Sequence, residues 1–408
     1  MGNGNLPLLH YSSLFGKQSV LVLDKNIIHT ILAAPQCSSK RKEPRFMKKF
    51  KFLSSRIGDG LVTLEGENWM RHRRIIQPSF NTGLLRDRLA EVVPPFANSL
   101  VTYWKSLDGK EIDVSSHMSA VTLDVVGIVL FAHKFNAVQA LREEEENVDS
   151  FADALGQAFH APPLTVALIV LGGMQYEPIL RPRARDQKRA LNDAVDKVLL
   201  NAKRQRDVET SDESNNKSLL HLLFEAQDPA TQQENGSSPN SMMNRKKLSW
   251  QELRDETKTF LMAGHETTST WLYWVLYALA KHPDVQERLY EELEELDVRR
   301  RPSVVDEMES LEYLNAVLKE ALRLYAPVGM IPRYNTYHET FAGYDIPPNT
   351  RLTLSIFLLH RHPAYWDDPE SFLPERWINV SPEETERRKF AFMPFSAGVS
   401  DLLGWKHG

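Results

Sequence analysis

A chain of 408 residues, 42% hydrophobic and 25% charged, has an ordinary globular composition with ample apolar material for a core. Its net charge of -5 and pI near 6.3 give no electrostatic ground for nucleic acid as a partner. The single cysteine, Cys37, excludes an intrachain disulfide and a cysteine-rich metal site, and it fits a reducing, cytosol-facing environment.

The N-terminal MGNGNLPLLHYSS has neither a basic n-region nor an apolar h-region, and no apolar run reaches the roughly 18 residues of a membrane span. Next, SVLVLD followed by KNIIHTILAAP reads as a strand and a short helix. The basic run KRKEPRFMKKFK at 40–51 reads as a solvated loop, with an acidic lipid surface or a redox partner as the rival reading. Helical periodicity marks 68–89, 100–104 and 119–131, and 183–205 is an amphipathic, strongly charged helix. The stretch 207–249 is rich in Ser, Asn and Gly and reads as a polar surface linker around one short helix, SLLHLLFEA. Helix dominates 250–295, and strand signals gather at 333–354. The fold class is therefore mainly α with a small β-sheet region, and the expected organisation is a single domain over 1–408.

Between Lys258 and Lys281 lie 22 residues whose only formal charge is Glu266, so the segment is expected to be buried nearly all round. The polar centre, His265 to Thr270, argues against a membrane span because charge at a bilayer centre is costly. Gly264 costs a helix about 1 kcal/mol relative to alanine, which points to something useful against that gap. HETTS half-matches the zinc motif H-E-x-x-H, but Ser269 stands where the second histidine must be.

Four short motifs occur in order: WMRHR at 69–73, AGHETT at 263–268, EALR at 320–323 and PERW at 374–377. Each recurs by chance alone; their order and spacing resemble the cytochrome P450 monooxygenases. The resemblance implies the cytochrome P450 fold, incomplete here at the N- and C-termini, with haem b as cofactor. It implies electrons from NADPH through a P450 reductase or similar donor, and insertion of oxygen into an apolar small molecule. The texture of GENWMRHRRIIQPSF and FLMAGHETTS is most similar to eukaryotic microsomal-type members that act on fatty acids, sterols or similar lipids. Those members face the cytosol on the endoplasmic reticulum membrane and begin with an anchor that is not visible in this sequence.

Site residues follow from the same resemblance. Ala263 and Gly264 leave room for dioxygen at the haem face, while Thr267, bonded back to the carbonyl of Ala263, and Glu266 handle protons. Trp69 and Arg73, with His72 beside them, and Arg333 in IPRYN serve the haem propionates; Arg71 and Arg74 read as a solvated helix face. Glu320, Arg323 and Arg376 form a structural network that pins the loop leading to the iron ligand.

That loop reads F-x-x-G-x-R-x-C-x-G in the family. Phe395, Gly398 and Gly404 fit, but Ser400 replaces the arginine and Leu402 replaces the ligand cysteine. Leucine cannot donate to iron, and neither Cys37 nor His407 is well placed to substitute. The sequence thus supports a monooxygenase by family, against the alternative of a non-catalytic P450-derived fragment or pseudoenzyme.

Overall fold

The structure is a computed structural model, and it describes residues 7–12, 18–34, 46–47, 51–80, 82–143, 184–208, 219–225, 248–295, 308 and 310–397. Two compact units emerge, Met1–Lys49 with Thr267–Gly408, and Phe50–Glu266. Their border falls inside the helix Trp250–Lys281.

The first unit is built on a five-stranded sheet in the order β1-β2-β7-β4-β3: Leu8–Ser12, Gln18–Val22, Arg351–Ser355, Met330–Asn335 and Phe46–Met47. Strands β2 and β7 run parallel, and the other pairs are antiparallel. Alternation in β2 turns Val20 and Val22 inward, where the helix Lys25–Leu32 covers them with Ile28, Ile31 and Leu32. Asp24 starts that helix by accepting from the amides of Asn26 and Ile27, both at 2.9 Å. Part of the basic run is therefore an edge strand rather than a solvated loop: Phe46 is buried in this core and pairs with Asn335. Two further strands, β5 (Glu339–Phe341) and β6 (Tyr344–Ile346), form a hairpin whose turn, Ala342 and Gly343, takes φ of 50° and 82°.

The helix expected over 250–295 is two helices, Trp250–Lys281 and Pro283–Glu295. Pro283 has no amide hydrogen to continue the first and suits the opening turn of the second. The second packs Val285 and Leu289 against Tyr313, Val317 and Ala321 of the helix Glu312–Leu324. That helix has no side-chain cap of its own; Glu292 supplies one, accepting from the amides of Tyr313 (2.7 Å) and Leu314 (2.8 Å).

The second unit is helical. The periodic stretch 68–89 resolves into Gly66–Ile76, a 3-10 turn Gln77–Phe80 and the start of Thr82–Ser106, and the amphipathic helix spans Ala184–Val208. Of the polar stretch 207–249, the short helix Leu219–Glu225 is seen, with Leu219, Leu220, Leu223 and Phe224 buried; most of the remainder lies outside the described residues. No unbroken apolar run reaches 18 residues, as expected, but the helix Val114–Phe131 is long and apolar enough by composition to cross a membrane. Its serines, threonine and histidine interrupt any purely apolar run yet carry little charge, and 61% of it is buried inside the protein. Its one acid, Asp124, caps the next helix by accepting from the amides of Ala137 (3.0 Å) and Val138 (2.9 Å).

Candidate functional site

The long helix is not equally buried along its length. The charged first half is the most enclosed part: Asp255, Glu256, Thr257, Lys258 and Thr259 are all buried, while Thr268 and Tyr277 are exposed. Charge there is accommodated by partners, not avoided. Asp196 accepts from the Arg254 guanidinium at 2.8 and 2.6 Å and from the Trp250 indole at 3.1 Å, fixing the helix start to Ala184–Val208. Lys258 bonds Asp255 at 2.8 Å and Asn192 at 2.9 Å; burial nevertheless pushes its ammonium pKa down, with Asp255 opposing. Asp255 also accepts from the amide of Asp59 at 3.1 Å.

At the helix centre, Ala263, Gly264, Glu266 and Thr267 are each half-buried. A side chain on Gly264 would meet Val126 of Val114–Phe131 at 3.0 Å, so the space the glycine leaves on that side is taken by a neighbouring helix. This is close helix packing, a different use of glycine from leaving room for dioxygen. His265 turns to Ser119, Nε2 to Oγ 2.8 Å, while its buried Nδ1 has no hydrogen-bond partner among the described residues. Burial pushes the imidazole down to about 4, with the Ser119 hydrogen bond opposing.

The helix Gly66–Ile76 carries the residues expected at the propionates. Trp69 is buried, and the Arg73 guanidinium lies over its indole, 5.1 Å from the ring centroid, which the i, i+4 spacing allows. His72 is engaged elsewhere: its Nδ1 is 2.5 Å from Glu256 Oε1, and its Nε2 lies 3.0 Å from Arg71 and 3.3 Å from Glu252. Arg71 is not the solvated residue the sequence implied, because it pairs with Glu252. Arg74 is exposed, as expected. Burial raises the Glu256 carboxyl, opposed by His72 and by the amide of Leu61 at 3.1 Å. For Glu252, burial acts upward, but hydrogen bonds from the Ser249 amide and Arg71 outweigh it and hold the carboxyl at about 2.

In the other unit, Arg333 sits in β4, 4% exposed, with Nη1 donating to the Pro332 carbonyl at 3.0 Å. The network of Glu320, Arg323 and Arg376 is assembled as the motifs imply. Glu320 and Arg323 are both fully buried and joined by two bonds, Nε to Oε2 at 2.9 Å and Nη2 to Oε1 at 2.7 Å. Arg376 joins through Nε alone, 3.0 Å from Glu320 Oε1, and spends Nη1 and Nη2 on the carbonyls of Asp367 and Asp368. The bidentate member is thus Arg323 only. Two donors were missed: the Trp377 indole (2.9 Å) and the Leu373 amide (3.0 Å) also reach Glu320. Trp377 was legible as the fourth letter of PERW; a backbone amide carries no side-chain signature.

Arg323 also binds the carbonyls of His360 (2.8 Å), Pro369 (2.6 Å) and Ser371 (3.0 Å), so one guanidinium organises the run from 360 to 371. Trp366, fully buried, holds its ring over the same cation at 5.3 Å. The chain then enters Phe390–Ala397, where Ala391, Met393 and Ala397 are buried and Ser396 takes a φ of 73°. Phe395 is half-buried; Gly398, Ser400, Leu402, Gly404 and His407, like Cys37, lie outside the described residues.

A haem needs cations and N–H donors for two propionates and a donor atom for iron. The buried indole of Trp69, the half-buried guanidinium of Arg73 and the buried guanidinium of Arg333 have the chemistry of the first requirement. The second is unmet at the matching position, because Leu402 has no lone pair to give. Among the described residues, no group of three or more His, Cys, Asp or Glu is placed to hold a metal ion. The residue types suit the carboxylates of a haem, and the residue at the thiolate position does not suit its iron.

Comparison with known proteins agrees with this geometry. The family model for Cytochrome P450 matches residues 10–401. Cytochrome P450 4A10 of Mus musculus is 31% identical over 416 residues, spanning 98% of this chain and 74% of that protein. Cytochrome P450 4A14 of Rattus norvegicus is 28% identical over 397 residues, spanning 95% and 72%. The crystal structure of the cytochrome P450DA heme domain superposes with a TM-score of 0.74 at 25% identity, covering 98% of this chain and 79% of that one. Motif order, the Glu320–Arg323–Arg376 network and a match running nearly end to end converge: the chain belongs to the cytochrome P450 family of haem-dependent monooxygenases.

Proposed function

We propose that the chain is built for NADPH- and O2-dependent hydroxylation of an apolar, lipid-like substrate, with electrons arriving from a P450 reductase or similar donor. Trp69, Arg73 and Arg333 are the residues for the propionates, with Phe395 and Gly398 in the ligand loop. Ala263 lies on the wall of the haem face, and Glu266 and Thr267 are the residues for proton handling. His72, engaged with Glu252 and Glu256, supports the helix that presents Trp69 and Arg73. The proposed location is the cytosolic side of the endoplasmic reticulum membrane.

One observation carries the reading. Glu320, fully buried, gathers Arg323, Arg376, Trp377 and the amide of Leu373. This knot fixes the chain run that continues into the ligand loop, and it does so at the desolvation cost that a buried ionic network carries. When bound, haem supplies the activation of dioxygen. What this chain contributes is the binding of its carboxylates and the placing of its loop.

The test is the variant Ser400→Arg/Leu402→Cys, which restores the two loop residues that depart from the pattern, compared with the parent after haem reconstitution. The variant is expected to gain haem and, once reduced under CO, the red-shifted Soret band of thiolate ligation, with the parent showing neither. A parent that already shows that band takes its ligand from elsewhere, which Cys37→Ala then probes. If neither protein binds haem, the enzyme reading fails and a non-catalytic, P450-derived product takes its place.

A further inference from the structure

His360 follows the four-residue helix Ile356–Leu359 and is fully buried. Its Nδ1 lies 3.1 Å from the carbonyl of Arg323, at the end of the helix Glu312–Leu324, and its Nε2 lies 3.0 Å from the backbone nitrogen of Met393. A carbonyl can only accept and a backbone N–H can only donate, so the ring must carry its proton on Nδ1 and keep a lone pair on Nε2. A protonated imidazole would point two N–H groups at one another across the Met393 contact. Burial pushes the group down to about 3, and the neighbouring cations, Arg323 and Arg361, oppose protonation as well. The ring is stacked on Phe392, centroids 5.3 Å apart, and the His360 carbonyl in turn accepts from Arg323 Nη1 at 2.8 Å.

The bonds at His360 therefore join three chain segments far apart in sequence, and the third of them is the approach to the ligand loop. Met393 is buried and stands between Phe390 and Ser396, two non-glycine residues held at φ of 60° and 73°. Backbone in that region is costly for such residues, so the segment keeps its path only if fixed between them. Its own bonds are the Ala391 amide to the Arg388 carbonyl (2.8 Å) and the Ser396 amide to the Met393 carbonyl (3.2 Å); the Met393 amide goes to His360.

We propose that His360 is a positioning residue of the ligand loop: as a neutral, Nδ1-protonated imidazole it fastens the Met393 amide to the end of the Glu312–Leu324 helix and so sets where the loop begins. The role rests on the proposed function only in what the loop serves; the clamp itself exists without haem.

Amide exchange at Met393 tests it in the full chain. In His360→Phe, which keeps the volume and the stacking but removes both hydrogen bonds, exchange at Met393 is expected to rise at least tenfold while amides of 312–324 keep their protection. His360→Gln, whose side-chain oxygen can still accept from Met393, should recover most of that protection. Equal loss in both variants, or no change in His360→Phe, overturns the proposal, since packing alone then explains the residue. Nitrogen NMR of the parent gives a reading that needs no variant: Nδ1 should show the protonated and Nε2 the unprotonated signature from pH 8 to pH 5, and the opposite tautomer or a charged ring at pH 6 would overturn it. Neither measurement depends on haem, so a negative result with Ser400→Arg/Leu402→Cys leaves this one standing or falling by itself.

Discussion

Glu256 and His72 meet at 2.5 Å, the one fully buried and the other 1% exposed, so a carboxyl and an imidazole share a site that water does not reach. The contact joins the helix carrying Trp69 and Arg73 to the first half of the long helix. Breaking a buried pair from one side leaves the other group unpaired. Glu256→Ala is therefore expected to cost about 3–5 kcal/mol in urea unfolding. The double variant His72→Leu/Glu256→Leu should cost less than the worse single change, and a strictly additive cycle would show that the two groups are not coupled.

Glu320 has no exposure and five hydrogen-bond contacts, from Arg323 (two), Arg376, Trp377 and Leu373. Glu320→Gln removes the charge that balances two guanidinium groups and is expected to lower stability by about 3–5 kcal/mol. Arg376→Lys can keep one contact to Glu320 but loses the fork to the carbonyls of Asp367 and Asp368, a loss of about 1–2 kcal/mol. Chemical denaturation of the two variants side by side would show the ordering; equal effects would contradict it.

Acid should weaken the protein above the range in which an ordinary carboxylate titrates. His265 and His360 are pushed from 6.5 to about 4 and about 3, so the unfolded chain binds more protons than the folded one below pH 6.5. Their contribution is fully present above pH 6.5 and is lost as pH falls toward 4 and 3, at up to about 1.4 kcal/mol per pH unit for each group. Glu252, held at about 2 against an ordinary 4.5, adds to the loss only below pH 4.5. Unfolding free energies between pH 8 and pH 4.5 check the histidine part: the His360→Gln variant should show a shallower decline than the parent, and parallel curves would exclude His360 as a source.

Gly58 takes a φ of 83°, and a side chain there would lie 2.1 Å from the Asp255 carboxylate. Gly58→Ala therefore strains the backbone and displaces an acid that also holds Lys258 and the Asp59 amide. A loss of about 2–4 kcal/mol is expected. Gly58→Asn, which tolerates the backbone angle but not the contact, should do no better; recovery by asparagine would show that φ alone matters.

Gly264 is the milder case. Alanine there gains about 1 kcal/mol of helix propensity and meets Val126 at 3.0 Å, so the two effects nearly cancel. Gly264→Leu should cost about 1–3 kcal/mol, with Val126→Ala recovering part of it by opening space in Val114–Phe131. Thermal unfolding of the three proteins would decide it, and a Gly264→Ala protein about 1 kcal/mol more stable than the parent would mean that Val126 gives way freely.

Much of the architecture was legible because it is local. Periodicity showed the strand and helix at 18–32 and an amphipathic helix at 183–205, observed as Ala184–Val208, and i, i+3 spacing put Glu320 and Arg323 on one face. Motif order gave the family without any structure. Errors came where a local rule met a tertiary partner. Lysine and two acids at 255–258 carry no sequence signal of burial, yet all three are buried, because Asn192, His72 and loop amides supply what water otherwise would. Arg71 read as solvated and is paired to Glu252, a residue 181 positions away.

By itself the sequence determined the family, the mainly helical class, the Glu320–Arg323–Arg376 network and the absence of a sulfur donor at Leu402, since each depends on residue identity and short or patterned spacing. Only the tertiary structure decided that His72 serves Glu256, that Gly264 faces Val126 and that His360 holds the Met393 amide. Those are contacts between segments remote in the chain, two of them made by groups with no side-chain pattern to read, a backbone amide and a missing Cβ. Such pairings follow from where the packed elements bring atoms within about 3 Å, a distance that no sequence interval encodes.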